Sequence, residues 1–433
     1  MADPKKKRPR TSQAVPLSAD AASRNPATAL EKAAKSLAAL VIISGAAWIV
    51  FGRAVDAPFI LDDASSVSQN SSIRKLWPLF GDPAVPGPLR PPQNAATSGR
   101  PLVNLSLAAN YHFSRLDPGG YHVFNIVVHV FSAILLWAIV RRTLCLEFFQ
   151  HDFDRVARPL AFLVALVWAI HPLQTETVVY VTQRSELMVG FFYLSTLYAS
   201  LRYWSSTSPS RHLTWLILAS LACLSGAACK EVIVSAPVIV LLFERTFVAG
   251  SFHKAVRESW PLYLGLLFSW CLLLALNLGW PRSATAGFHL GVPAHAWWLT
   301  QAKVFVTYLK LSIYPWPLVL HYEFEYFYTL GEAWPWVVPV VLLAAIALLL
   351  FWRRTATGFG LLCIFAILSP TLVIPVITEV AAERRMYLPL AIVVAVAVVA
   401  SYKLLLVVQG RLKPASGRTR QRKLLTVRGD RPL

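Results

Sequence analysis

The sequence predicts an all-α integral membrane protein, a multispanning helical bundle, and three observations carry that prediction. Of 433 residues, 56 % are hydrophobic and only 15 % are charged, whereas soluble domains average about 25 % charged. Mean hydropathy is +0.53. The apolar residues gather into runs long enough to cross a bilayer, which takes roughly 20 residues. Together these exclude a disordered chain, a collagen-like chain and a conventional soluble enzyme. A formal charge of +19 on so apolar a chain has two readings: a nucleic-acid surface, or the Lys/Arg bias of cytoplasmic membrane loops.

The position of the charge separates them. Residues 1–35 carry eight basic residues, among them Lys5, Lys6, Lys7, Arg8 and Arg10, and residues 402–433 carry nine. Net of acids, these two tails hold 13 of the 19 charges. Both read as basic, disordered cytoplasmic tails, 1–35 and 409–433, around a membrane domain at 36–408. The run from Lys5 to Arg10 has the form of a nuclear-localisation or nucleic-acid arm, but beside apolar spans it serves orientation, and no nucleic-acid partner is expected. No signal peptide is expected, because the first apolar run follows 35 polar residues. Cys145, Cys223, Cys229, Cys271 and Cys363 show no metal-type spacing and imply no disulfide framework.

Ten spans are expected. Eight lie at about 37–53, 121–140, 158–172, 187–204, 259–279, 335–352, 357–376 and 386–408. The apolar stretch 212–243, broken by Lys230 and Glu231, reads as a tight hairpin of two more. With the N-terminus inside, the inner segments hold 28 of the 41 basic residues, so both termini are predicted to be cytoplasmic. That parity leaves 299–320 with both flanks outside. It is therefore read as an interfacial or re-entrant helix, with Lys303 and Lys310 on its polar side and Pro315 and Pro317 ending it.

This topology gathers the unusual polar residues on the outer side. Asp62 and Asp63 follow the first span, and a Pro/Gly-rich stretch leads to Arg100. His122, Asn125 and His129 share one face of the second span. His171, Gln174, Glu176, Gln183, Arg184, Ser185 and Glu186 follow the third, and Glu379, Glu383, Arg384 and Arg385 precede the last. Each feature has a plainer explanation: adjacent acids are commonly just solvated, a His/Asn stripe packs helices, and Arg pairs such as Arg141-Arg142 and Arg353-Arg354 anchor spans. Lys230 and Glu231 are harder to explain that way. Sharing about 32 residues, each leg of the hairpin reaches only about 24 Å, so the turn lies below the surface, where charges need partners or a wet cavity.

A carboxylate pair beside several cations suits one chemistry. Cations near apolar walls hold a lipid-borne phosphate, bidentately for Arg and as a point charge for Lys. A carboxylate removes a proton from an acceptor hydroxyl. Together they describe sugar transfer from a polyprenyl-phosphate donor. FILDD, then RPLVNLSLAANYHFSRLDPGGYHVFNIVVH, HPLQTETVVYVTQRSELM, CKE, TQAKVFVTYLKLSIYPWPLVLHYEFE and TEVAAERRMYLPL, in that order, resemble the transmembrane and TPR-containing O-mannosyltransferases over about residues 40–400. The resemblance implies the GT-C architecture, with a catalytic acid in the first outer loop. It puts Asp62 at the base and makes Asp63 the second acid, orienting the acceptor or assisting with a divalent metal ion that Asp62 and Asp63 would hold. It implies donor-phosphate contacts at Arg184, Lys230 and Arg384, with Arg100, His122, Asn125, His171, Glu186 and Glu231 in support. One departure is that no 34-residue TPR repeat follows, so acceptor choice is not inherited.

The reading is an inverting transferase of a mannose-like sugar, acting at the outer face on a protein Ser/Thr or a glycan hydroxyl. Its rivals are the same architecture acting on a cell-envelope glycan or lipid, a lipid-linked-sugar transporter, and a non-catalytic scaffold. A transporter would show internal repeats and mid-membrane breaks. A bacterial inner membrane is expected over the endoplasmic reticulum, because the chain is short and lacks the repeats.

Overall fold

A computed structural model describes residues 26–82, 86–93, 95–279, 287–288 and 291–410. Most of the two expected tails, 1–25 and 411–433, therefore lies outside the described residues. The described residues form helices joined by loops and contain no β-strand. In order, its helices are α1 (Pro26–Phe51), α2 (Pro101–Ser114), α3 (Pro118–Leu144), α4 (Ala157–Ala169), α5 (Thr175–Val179), α6 (Arg184–Trp204) and α7 (Pro209–Ala227). There follow α8 (Ala236–Phe243), α9 (Phe252–Gly279), α10 (Ala294–Ile313), α11 (Leu330–Trp352), α12 (Ala356–Val373) and α13 (Tyr387–Val408).

Local chemistry sets many of these boundaries. Pro101, Pro118 and Pro209 open α2, α3 and α7, where the missing N–H costs no helical bond. Asp117 caps α3 by accepting from Gly119 N–H at 3.1 Å, and Thr355 caps α12 through Gly358 N–H at 3.0 Å. Pro261 kinks α9, leaving Ser259 outside helical geometry.

Among the described residues, seven stretches are long and apolar enough to cross a membrane, and the pair Ala157–Ala169 and Pro172–Val179, bent by 56°, makes an eighth if it is one broken span. This is a multi-pass membrane protein. The shortfall against ten lies in α6 and α7, which at 21 and 19 residues are long enough but less apolar. α6 buries Arg184, Ser185, Glu186, Thr196 and Ser200 against neighbouring helices rather than showing them to lipid. α11 is the opposite case. It buries only Ala333, Ala347 and Phe351 and exposes Val338, Val341, Leu342 and Ile346, as a lipid-facing helix does.

The 299–320 region is a helix only to Ile313, ending ahead of Pro315 and Pro317 as expected. The chain then doubles back along α10, where Phe327 N–H donates to Thr300 Oγ1 at 3.0 Å. That return corrects one expectation. Lys303 is not on an open polar face: its ammonium sits 5.5 Å from the ring centres of both Phe324 and Phe327, and Lys310 alone is exposed.

The bundle has two chemically distinct ends. Phe148 packs on Phe247, Arg245 Nη1 donates to Phe351 O at 2.5 Å, Arg354 donates to Thr246 O and Lys403 lies over Phe153. These contacts gather the basic loops after α3, α8 and α11 with the end of α13. The polar residues singled out in the sequence collect at the other end.

Candidate active site

The acidic turn is built from two sides. After α1 and a 3-10 turn at Gly52–Asp56, the chain bends sharply through Leu61, whose φ is +43°. Asp63 is buried at 1 % exposure. Its Oδ2 accepts from Ile60 N–H at 3.0 Å, and its Oδ1 accepts from Thr182 N–H at 2.8 Å and Thr182 Oγ1 at 2.5 Å. Burial pushes its carboxyl above the ordinary range, against the pull of those hydrogen bonds. Asp62 is exposed, and its backbone N–H donates to the Tyr180 hydroxyl at 2.9 Å. The neighbouring acids thus occupy different environments: Asp63 is a brace, and Asp62 is the available carboxylate. With Asp63 already taking three hydrogen bonds, the two are not arranged to hold a metal together. Among the described residues no group of three or more His, Cys, Asp or Glu is placed to do so.

A network of ion pairs lies beside this turn. Lys230, at the start of the hairpin's second leg, pairs with Glu186 of α6. Arg100, just before α2, approaches Glu231 at 3.8 Å and donates to Ala96 O at 2.7 Å. Leu102 N–H donates to Ala228 O at 3.2 Å, tying α2 to that hairpin turn. Arg384 pairs with Glu176 and Glu379, and its backbone N–H donates to Glu176 at 2.9 Å. Burial opposes ionisation of Glu379, but Arg384 beside it holds its carboxyl below the ordinary range. Lys230 feels both Arg100 and Arg384, and Tyr180 feels Arg384 as well as Asp62. The acidic turn and the ion pairs are therefore one electrostatic site. Gly190 makes the approach of α6 and α13 possible: a Cβ there would sit 2.5 Å from the Tyr387 ring.

Arg184 makes no ion pair in this network, but it lies near enough to the acidic turn to feel the charge of Asp63. It is fully enclosed at 0 % exposure, donating to Asn125 Oδ1 at 2.9 Å and Tyr121 O at 3.0 Å. Its guanidinium lies 4.1 Å from the Phe124 ring centre. Asn125 also donates to Val178 O at 3.3 Å, and His122 is held at Ala57 O, 3.2 Å away. These three residues tie α3 to α5, to α6 and to the segment after α1, and His122 and Arg184 both lie close enough to Asp63 to feel its charge. His129 bridges Tyr387 and Ala169 O at 3.0 and 2.8 Å, so the expected polar stripe on α3 is a packing seam. His171 caps its own turn, accepting from Leu173 N–H at 3.2 Å.

Of the expected residues, the structure brings Asp62, Asp63, Arg100, Glu186, Lys230, Glu231 and Arg384 together, sets His122 and Arg184 behind Asp63, and uses Asn125 and His171 in local hydrogen bonds. Tyr180 and Thr182 were not foreseen. A tyrosine near a span end reads as an ordinary interfacial residue, and no local pattern announces a bond to Asp62 across 118 positions.

Comparison with known proteins agrees with the motifs. The chain is 27 % identical over 226 residues to protein O-mannosyl-transferase Tmtc3 of Drosophila melanogaster, covering 48 % of this chain and 24 % of that protein. It is 26 % identical over 222 residues to human protein O-mannosyl-transferase TMTC3, covering 50 % and 22 %. For human protein O-mannosyl-transferase TMTC4 the figures are 28 % over 204 residues, covering 45 % and 27 %. The match thus spans about a quarter of these relatives' length. These relatives are animal proteins and lend no support to a bacterial inner membrane. No protein-family model matches the chain, and no solved structure does. Over about half its length, the chain is similar to the TMTC-type protein O-mannosyl-transferases.

Proposed function

We propose that the protein is an inverting glycosyltransferase of GT-C type, moving a mannose-like sugar from a polyprenyl-phosphate donor to a hydroxyl of a protein acceptor. The observation that carries this reading is the conjunction, at one end of the bundle, of an exposed carboxylate on a braced turn and a cluster of partly or fully buried cations. Asp62 takes the acceptor's proton as the acceptor oxygen attacks the anomeric carbon. The bond from that carbon to the phosphate oxygen breaks, and the lipid phosphate leaves with the electron pair. A phosphate leaves readily, so one base and a cationic clamp suffice.

Among the cations, Arg100 and Lys230 suit the donor phosphate best. Arg100's contact with Glu231 is the loosest pair in the network, at 3.8 Å, so a phosphate displaces the least there. Arg384, held by two carboxylates, organises the site from behind, and Arg184 keeps α3 and α6 in register. The site faces the outer side, and both termini are cytoplasmic. The test is transfer by purified protein from polyprenyl-phosphate-linked radiolabelled sugars to a membrane extract, with identification of the product. Asp62→Asn is expected to lower transfer by about 100-fold or more, the scale of general-base catalysis, at unchanged membrane insertion. Transfer retained by that variant would sink the assignment.

A further inference from the structure

Leu61 combines two features that do not go together by default. Its φ of +43° lies in the left-handed region that leucine avoids, and its side chain is 65 % exposed, so burial gives it no reason to be there. Something else holds the turn in that shape. Asp63 N–H to Ile60 O at 2.9 Å and Ile60 N–H to Asp63 Oδ2 at 3.0 Å close the turn locally, and three further bonds fix it to the rest of the fold: Asp62 N–H to Tyr180 Oη at 2.9 Å, and Thr182 N–H and Oγ1 to Asp63 Oδ1 at 2.8 and 2.5 Å. These three long-range bonds come from the short 3-10 turn Val181–Gln183 and the residue before it. That segment is itself rigid, since Tyr180, Val181, Thr182 and Gln183 are all buried.

We infer that Tyr180 is a positioning residue, one jaw of a clamp with Thr182 that holds Leu61 strained so that Asp62 projects from the turn toward substrate. The inference deepens the proposed transferase reading and rests on it for its catalytic consequence. Without the Tyr180 hydroxyl, Leu61 relaxes toward negative φ and the Asp62 carboxylate leaves its place. Glycine adopts positive φ without penalty, so a glycine at 61 makes the clamp dispensable.

The test compares wild type, Tyr180→Phe, Leu61→Gly and the double variant. Y180F removes one oxygen and should lower kcat at least tenfold, with the KM for the polyprenyl-phosphate sugar within twofold. L61G should keep wild-type activity, and the double variant should recover most of what Y180F loses. A general packing defect at Tyr180 would not be repaired by a glycine 119 positions away, so absence of rescue overturns the clamp, as does full activity in Y180F. A second measurement does not depend on transfer. Hydrogen–deuterium exchange of residues 60–66 should accelerate in Y180F while α3 and α13 stay protected. Unchanged exchange there overturns the clamp even if no sugar donor is ever accepted, whereas loss of transfer in all forms with the expected exchange overturns only the transferase reading.

Discussion

Arg184 shows how much a single residue's surroundings matter. In the sequence it sits among polar neighbours at the mouth of a span, where a phosphate ligand is a natural expectation. In the fold its donors are spent on Asn125 and Tyr121, and an aromatic face covers it. Arg184→Lys keeps the charge but loses the fork, and should cost about 1–3 kcal/mol. Thermal melts should show that loss while the donor KM of the folded fraction stays put. A raised donor KM at unchanged Tm would return the phosphate to Arg184. Glu379 supplies a pH signature. Its folded carboxyl titrates below the unfolded value of about 4.3, so its contribution to stability is present above that value and disappears as pH falls through the folded one. The Tm gap between wild type and Glu379→Gln should therefore be widest near neutral pH and close in acid. A gap that widens on acidification would contradict the ion pair with Arg384.

At the level of elements, the site depends on how closely α6 and α13 approach. Gly190 faces Tyr387, whose ring is fully buried, and the next helical turn toward the site carries Glu186 and Arg184. Gly190→Ala inserts a methyl where the ring already sits, 2.5 Å away. It should cost about 1–3 kcal/mol as an overpacked contact and lower transfer by shifting Arg384 at the head of α13. Wild-type melting and wild-type rates in G190A would mean the two helices have slack. The hairpin at Lys230 illustrates what chain length alone conveys. Its legs, Pro209–Ala227 and Glu231–Ala249, run to 19 residues each, longer than the apolar stretch 212–243 implied, and its charges nonetheless find partners. That partners existed was readable, but that Lys230 meets Glu186 of α6 was not.

For the whole molecule, the two ends of the bundle match the two populations of charge. The basic loops converge on one end through Arg245, Arg354 and Lys403, and the paired acids and cations on the other. Cysteine labelling of intact cells with a membrane-impermeant maleimide checks the orientation. His112→Cys, on the site end, should react from outside, and Thr207→Cys, between α6 and α7, only after permeabilisation. The reverse pattern would invert the topology and place the site in the cytoplasm.

The sequence by itself determined the class and the order of the motifs, and it predicts the sidedness. These follow from one-dimensional quantities: the length of apolar runs, the asymmetry of Lys and Arg between loops, and short strings of residues in series. Only the tertiary structure decided which polar residues come together. Asp62 and Asp63 are adjacent and chemically identical, yet one is exposed and the other buried because Thr182 and Tyr180 arrive from more than a hundred residues away. A polar side chain's role is set by burial and partners, and both are made by contacts between segments distant in the chain.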